Sequence, residues 1–307
     1  MSVSELLSFP CDVCESPDAE PIRSLRRYTN GDDLYVCKNC GFVYAHKRRS
    51  DEAIRKDWAE NMFSEVFDVE QTEGEGYTGY TAKIPAVVAR LTYAAENFNT
   101  EIGFANKSVC DIGAGEGDFI SMVSQRMAPK KIFGVEPSTV NGKLLAGLGI
   151  DHFVGTIEEF EAARTRSADT TTFDVVTLNW TLENTQSARR VLQMVNALLP
   201  VGGYLQVATG SRILVPFRKP LHYYLNPRNP VDIHSFHFSL NSLSGLMVAT
   251  GFEPVRHNRC IDTDYLCVIG RKHDQSTALN WPKDDYKEVI EFFDRWSKET
   301  EDHYRDR

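Results

Sequence analysis

Four cysteines stand in two CxxC pairs near the start of this 307-residue chain, Cys11 with Cys14 and Cys37 with Cys40. Each CxxC turn can bring two thiolates to one side of an ion, and four thiolates satisfy Zn(II) tetrahedrally. The loop of 22 residues between Cys14 and Cys37 is slightly longer than common zinc-ribbon spacings but of the same kind. A four-sulfur site leaves no open coordination position, so the expected zinc is structural, a staple for a module whose own core is too small. Cys110, Cys260 and Cys267 lie in apolar contexts and read as core residues. Their odd total with the paired four, and a first stretch without an export signal, argue against a disulfide framework.

A second constellation lies at residues 109–119, VCDIGAGEGDF, where an apolar strand runs into Gly113, Ala114, Gly115 and Gly117 with acids set among them. Glu136 ends the next apolar run, 19 positions beyond Gly117, and can accept hydrogen bonds from ribose hydroxyls. Such a loop and acid describe either a nicotinamide site or an adenosylmethionine site. Two features divide them. The spacing is GxGxG rather than the GxGxxG that seats a pyrophosphate, and Asp111, Glu116 and Asp118 would repel two phosphates while suiting a sulfonium and an ammonium group.

These residues need rigid elements to hold them. From residue 108 onward, short apolar runs (SVCDI, KIFGVE, HFV, FDVVTL, YLQVAT, EPVRHN, YLCVIG) alternate with amphipathic segments at 116–127, 139–148 and 187–199. That order builds a mostly parallel sheet covered on both faces. Pro200, Gly202 and Gly203 stop a helix before the fifth strand, and Thr156 with Glu159 has capping-box spacing. Residues 82–98 read as a helix leading into the main domain, 50–63 as a helical piece, and 69–80 as an acidic linker or lid whose Tyr77 and Tyr80 could close over a cofactor. In the last 25 residues Val289, Ile290, Phe293 and Trp296 form an apolar stripe, expected to dock on the body. The expected division is a zinc-binding module at 1–50, a helical linker or lid at 51–100, a cofactor-binding domain at 101–275 and an amphipathic helix at 276–307.

A net charge of −9 gives no general attraction to a phosphate backbone or an anionic membrane surface. The module at 1–50 balances seven basic against seven acidic residues, which weighs against a nucleic-acid finger, and Lys47, Arg48 and Arg49 read as a solvated surface run. No stretch of about 18 apolar residues is present, so the expectation is a cytoplasmic protein without a membrane partner.

With these motifs in order, the chain resembles class I S-adenosylmethionine-dependent methyltransferases over residues 77–270. VCDIGAGEGDF is similar to their first motif, IFGVEPS to the ribose-binding acid, FDVVTLNWTLENT to the fourth-strand motif and LLPVGGYLQVAT to the fifth-strand turn. The resemblance implies an α/β fold, a Rossmann-like seven-stranded sheet with its last strand antiparallel, here carrying a small N-terminal zinc-ribbon-like module. It implies that Gly113, Ala114, Gly115 and Gly117 pass the methionine part, that Asp111 sits near its amine, and that Glu136 and Pro137 hold the ribose. Thr156 and Ile157 would flank adenine, Asn179 would lie beside the cofactor, and Tyr80 would belong to the lid.

Methyl transfer needs a nucleophile placed opposite sulfur, and a base where that nucleophile keeps its proton. His234 and His237, in VDIHSFHFSLNS, are the candidate bases. A four-cysteine module, this fold and an HxxxFS element together resemble the bacterial sugar C-methyltransferase-like group, whose EHxxxFS histidine corresponds to His234. The chain departs from it at Ile233, where that group has Glu, and at Asn184, where a His often follows; O- or N-methylation therefore stands beside C-methylation. Arg212, Arg218 and Lys219, interleaved with Tyr223 and Tyr224, are candidate contacts for a nucleotide sugar. The expected partner is a small-molecule acceptor of polysaccharide or natural-product biosynthesis. The alternatives are a zinc-module RNA methyltransferase and an inactive protein-interaction subunit.

Overall fold

The computed structural model describes residues 6–29, 33–59, 85–210, 234–258, 265–274 and 280–305. The N-terminal part holds strands β1 (Leu7–Ser8), β2 (Ala19–Pro21), β3 (Leu34–Cys37), β4 (Val43–Ala45) and β5 (Lys47–Arg48), with a 3₁₀ turn at Arg23–Tyr28. Helices α1 (Asp51–Ala59) and α2 (Pro85–Glu101) follow. Then come β6 (Ser108–Ile112), α3 (Asp118–Arg126), β7 (Lys131–Glu136), α4 (Thr139–Gly147), β8 (Asp151–Val154), α5 (Ile157–Ser167), β9 (Val175–Asn179), α6 (Ala188–Leu198) and β10 (Tyr204–Gly210). The chain closes with β11 (Phe236–His237), α7 (Leu240–Ala249), β12 (Phe252–His257), β13 (Tyr265–Lys272) and α8 (Tyr286–Arg305).

Seven of the strands form one sheet in the order β12-β13-β10-β9-β6-β7-β8, with β13 antiparallel to both neighbours and the strands from β10 to β8 parallel. The expected α/β class and the antiparallel last strand are both present. The inner strands β6, β9 and β10 are apolar and buried almost throughout, as strands covered on both faces must be. Helix α6 buries Ala188, Val191, Leu192, Val195 and Leu198, a helical stripe in which each enclosed Val or Leu contributes about 1.5–3 kcal/mol relative to exposure. On α2, Ala94, Ala95 and Phe98 pack with Phe104 and Phe119. The chain leaves β6 toward β7 on one side and returns to β9 on the other, so a crevice opens at the carboxyl ends of these two strands.

The N-terminal strands make a smaller sheet in the order β11-β4-β3-β2, and its fourth strand comes from residues 236–237. The C-terminal stripe docks here. Val289 and Phe293 are buried with Ile22, Leu25, Tyr28, Leu34, Val36 and Val43, and the rings of Tyr28 and Trp296 lie 5.3 Å apart. Among the described residues no helix is long and apolar enough to cross a membrane.

Candidate active site

At the carboxyl end of β6 the glycine loop turns through left-handed backbone, with φ of 75° at Gly113 and 57° at Gly115. At Gly113 a Cβ would collide with the side chain of Thr181. At Gly115 nothing lies within 4 Å of that position, so the backbone there is open to a ligand. Glu136 closes the loop from β7. Its Oε2 accepts from the Gly115 amide at 2.8 Å, and its Oε1 accepts from the Ser138 amide at 2.9 Å and Asn141 Nδ2 at 3.3 Å. Burial raises the Glu136 carboxyl above its ordinary range, and these three donors pull it back.

Asp111 lies inside the sheet, 2% exposed. Its Oδ1 accepts from Thr177 Oγ1 at 2.6 Å and from Asn179 Nδ2 at 3.1 Å. Burial pushes its carboxyl up to about 7; the two hydrogen bonds oppose that rise and the negative charge of Glu136 adds to it. Asp111 is therefore poised to ionise when a cationic group arrives.

A cavity of about 580 Å³ occupies the crevice. Gly113, Gly115, Glu136, Pro137, Thr156 and Ile157 line it, whereas Asp111, Ala114, Gly117 and Asn179 do not. The anticipated capping box holds that rim, Thr156 Oγ1 accepting from the Glu159 amide at 3.3 Å and Glu159 Oε2 from the Thr156 amide at 2.9 Å. Tyr80, Arg212, Arg218, Lys219, Tyr223 and Tyr224, with the whole acidic lid segment, lie outside the described residues.

The sequence pattern did not single out the opposite wall. Helix α1 supplies Asp51, Glu52, Ile54, Arg55 and Trp58, with Arg55 Nε 3.8 Å from a Glu159 oxygen. Trp180 and Gln186 complete it beyond β9. Trp180 has φ 52°, a left-handed conformation that costs a bulky residue about 1–3 kcal/mol and marks functional sites. A tryptophan directly after the strand-ending Asn179 was the available signal for it.

His234 and His237 do not line this cavity; their rings are 6.4 Å apart. His237 is 4% exposed within β11, opposite Val43 of the small sheet, while His234 is half-buried. Ser235 between them is gripped from both sides, its amide donating to the Glu183 carbonyl at 2.9 Å and its carbonyl accepting from the Ala45 amide at 2.8 Å.

The four paired cysteines converge, all Sγ atoms lying within 4.8 Å of one another. The Cys11–Cys40 and Cys14–Cys37 sulfurs are 3.6 and 3.5 Å apart. Tetrahedral Zn–S bonds of about 2.3 Å require sulfurs about 3.8 Å apart, so the cluster fits the ion, and its soft sulfur set suits zinc.

The loop between Cys11 and Cys14 is bolted to the main domain. Asp12 accepts from Ser187 Oγ at 2.9 Å and from the Arg189 amide at 3.3 Å, a carboxylate at the N-terminus of α6 where the helix dipole favours it. Arg48 is not the solvated cation expected from its basic run. It is 2% exposed, donates to Asp12 Oδ2 at 2.7 Å, to the Ala45 carbonyl at 2.7 Å and to the Gln186 carbonyl at 2.6 Å, and lies 4.5 Å over the Phe236 ring. Gln186 in turn donates to the Arg49 carbonyl at 2.8 Å, joining the cysteine module to a cavity-lining residue.

Residues 81–257, more than half of the chain, match the methyltransferase-domain family. Among solved structures, one similar chain belongs to the complex between the Haloferax volcanii Trm112 methyltransferase activator and a methyltransferase. It is 12% identical with a TM-score of 0.51, the match covering 66% of this chain and 97% of that one. The Burkholderia thailandensis 1,6-didemethyltoxoflavin-N1-methyltransferase, solved with 1,6-didemethyltoxoflavin and S-adenosylhomocysteine, is 16% identical with a TM-score of 0.51 over 76% of this chain and 96% of its own. The Bradyrhizobium japonicum N-methyltransferase NodS, solved with S-adenosylhomocysteine, is 12% identical with a TM-score of 0.50 over 71% and 98%. At these identities the likeness is one of fold. Comparison with curated proteins gives no match. By its matched domain, sheet order and glycine loop, the chain belongs to the methyltransferase-domain family and is an S-adenosylmethionine-dependent methyltransferase of class I fold.

Proposed function

We propose that this methyltransferase acts on a small-molecule acceptor, a nucleotide-linked sugar or related metabolite of polysaccharide or natural-product biosynthesis, with His234 as general base. The observation that carries the small-molecule part is the cavity. At about 580 Å³ it has the size of a small-ligand site, and beyond the cofactor motifs it continues onto Trp58, Arg55, Trp180 and Gln186. The sugar part rests on the resemblance of the four-cysteine module and the HxxxFS element.

Glu136 would hold the ribose and Thr156 and Ile157 the adenine, the open face of Gly115 leaves room for the methionine part, and Asp111, buried behind the cavity surface, would act on the amine through its charge. Bound adenosylmethionine would supply an electrophilic methyl group on a sulfonium sulfur, a leaving group that would depart with the carbon–sulfur electron pair as the acceptor's lone pair took the carbon. His234, which stands outside the described lining and beyond the turn at Leu182–Asn184, would take the acceptor's proton from an acceptor that reaches past the cavity's edge, while Trp58 and Trp180 would keep the acceptor in line and water out. The described cavity carries the carboxylates of Asp51, Glu52, Glu116, Glu136, Glu158 and Glu159 against the single guanidinium of Arg55. Recognition of a diphosphate therefore falls to the basic segment around Arg212, Arg218 and Lys219, and amine-bearing acceptors suit the cavity itself.

The test is methyl transfer over a panel of nucleotide sugars, amino sugars included, with His234→Ala beside the wild type. The expected outcome is turnover of at least one member and a loss of 10²–10⁴-fold in kcat for the variant. No turnover on the panel, together with tight RNA binding that weakens steeply with salt, overturns the acceptor class. Full turnover by the variant removes His234 as the base.

A further inference from the structure

Glu183 is a buried carboxylate without an assigned task. It sits in the 3₁₀ turn Leu182–Asn184, directly beyond β9, 2% exposed, and its Oε2 makes no hydrogen bond. An ionised carboxylate enclosed in this way is strongly disfavoured unless a cation or donors face it.

The elements packed on the turn narrow the choice of cation. Strand β10 presents the Thr209 hydroxyl and the Gly210 amide, neutral donors that draw the carboxyl back toward ionisation but bring no charge. Helix α6 carries Arg189 and Arg190, but Arg189 is committed to Asp12, Val13 and Glu15 and Arg190 to Asp51. Strand β11 presents the buried His237, and Arg48 beyond it is paired with Asp12. Among the described residues, the group whose positive charge reaches this carboxyl is His234, kept beside the turn because the next residue, Ser235, donates its amide to the Glu183 carbonyl at 2.9 Å. Burial raises the Glu183 carboxyl, and the positive charge of His234 is the foremost influence drawing it back toward ionisation.

We propose that Glu183 is the positioning carboxylate of His234: it orients the imidazole, holds the proton on the ring nitrogen that faces it, and makes the other nitrogen a stronger base. The inference rests on the reading of His234 as general base. The proton that His234 removes from the acceptor turns a neutral ring into an imidazolium, and the charge develops against a carboxylate already in place, with no water reorganisation needed. Glu183 keeps its own charge throughout.

The experiment follows the C2–H resonance of His234 against pH in the full chain, assigned by its disappearance in His234→Asn. In the wild type the ring should titrate above the ordinary value of about 6.5. In Glu183→Gln it should fall by about one pH unit or more, with Glu183→Asp in between. The acidic limb of the kcat profile should move down by the same amount, with KM and the Kd for adenosylmethionine unchanged. A wild-type ring that titrates at or below about 6.5, or a Glu183→Gln ring that does not move, overturns the pairing. Because the resonance reports the pair without turnover, failure of His234 as the base appears in the His234→Ala assay and is distinct from failure here. Should Glu183→Gln not fold, the wild-type titration alone decides.

Discussion

Replacing Asp111 by asparagine separates the cost of its buried carboxylate from its use. Burial lifts this carboxyl from 3.8 to about 7, and at about 1.4 kcal/mol per pH unit the ligand-free protein disfavours its ionisation by about 4 kcal/mol. The folded protein keeps the proton to about pH 7 while the unfolded chain releases it near 3.8. The stability this group confers is therefore whole below pH 3.8 and is lost progressively as the pH rises to about 7. In Asp111→Asn the amide oxygen can still accept from Thr177 and Asn179, so the hydrogen bonds survive and only the charge goes. Urea unfolding of both proteins between pH 4 and about 8.5 should give equal stabilities at the acid end and a variant more stable by up to about 4 kcal/mol at the alkaline end. Calorimetry should run the other way, with weaker adenosylmethionine binding by the variant at pH 8 and wild-type affinity falling as the pH drops below about 7. A variant no more stable than the wild type at pH 8, or a difference independent of pH, refutes the reasoning.

Two further changes probe the junction and the metal. Arg48→Ala leaves the buried Asp12 without its cation, with only the Ser187 hydroxyl and the Arg189 amide still donating to it, and should cost about 3–5 kcal/mol in denaturant unfolding; Arg48→Lys should recover only part, since one ammonium cannot reach Asp12, Ala45 and Gln186 together. Metal analysis should find about one zinc per chain, lost in Cys37→Ser along with a lower melting temperature; an equally stable, zinc-free wild type would falsify the staple.

The main sheet was legible because its strands are enclosed and continuous. The runs at β6 and β7 begin and end where the apolar pattern does, and the turn at Pro200, Gly202 and Gly203 follows α6 as its chemistry requires. Glu136 was legible from its distance to the glycine loop, and the four cysteines from their spacing. What escaped were contacts between distant positions. Arg48 looks like one cation in a basic run, because its partners Asp12 and Gln186 lie 36 and 138 positions away. Strand β11 is two residues long and has no periodicity to read. The cavity wall on α1 comes from a short, mostly polar helix whose Trp58 gains meaning only when the sheet stands opposite. Trp180 needed φ, which composition does not disclose.

The shared strand β11 has a consequence for inheritance. Phe236 and Phe238 stack on Phe42, Arg48 lies over Phe236, and Ser235 is held between Ala45 and Glu183, so the segment bearing His234 belongs to the small sheet and is tied to the turn that follows β9 of the large one. Trimming the chain to begin at residue 51 would strip β11 of its pairing and uncover the apolar side of α8. The first 50 residues and the HxxxFS segment are therefore obliged to vary together, and transplanting either into a relative without the other would leave a seam instead of a strand.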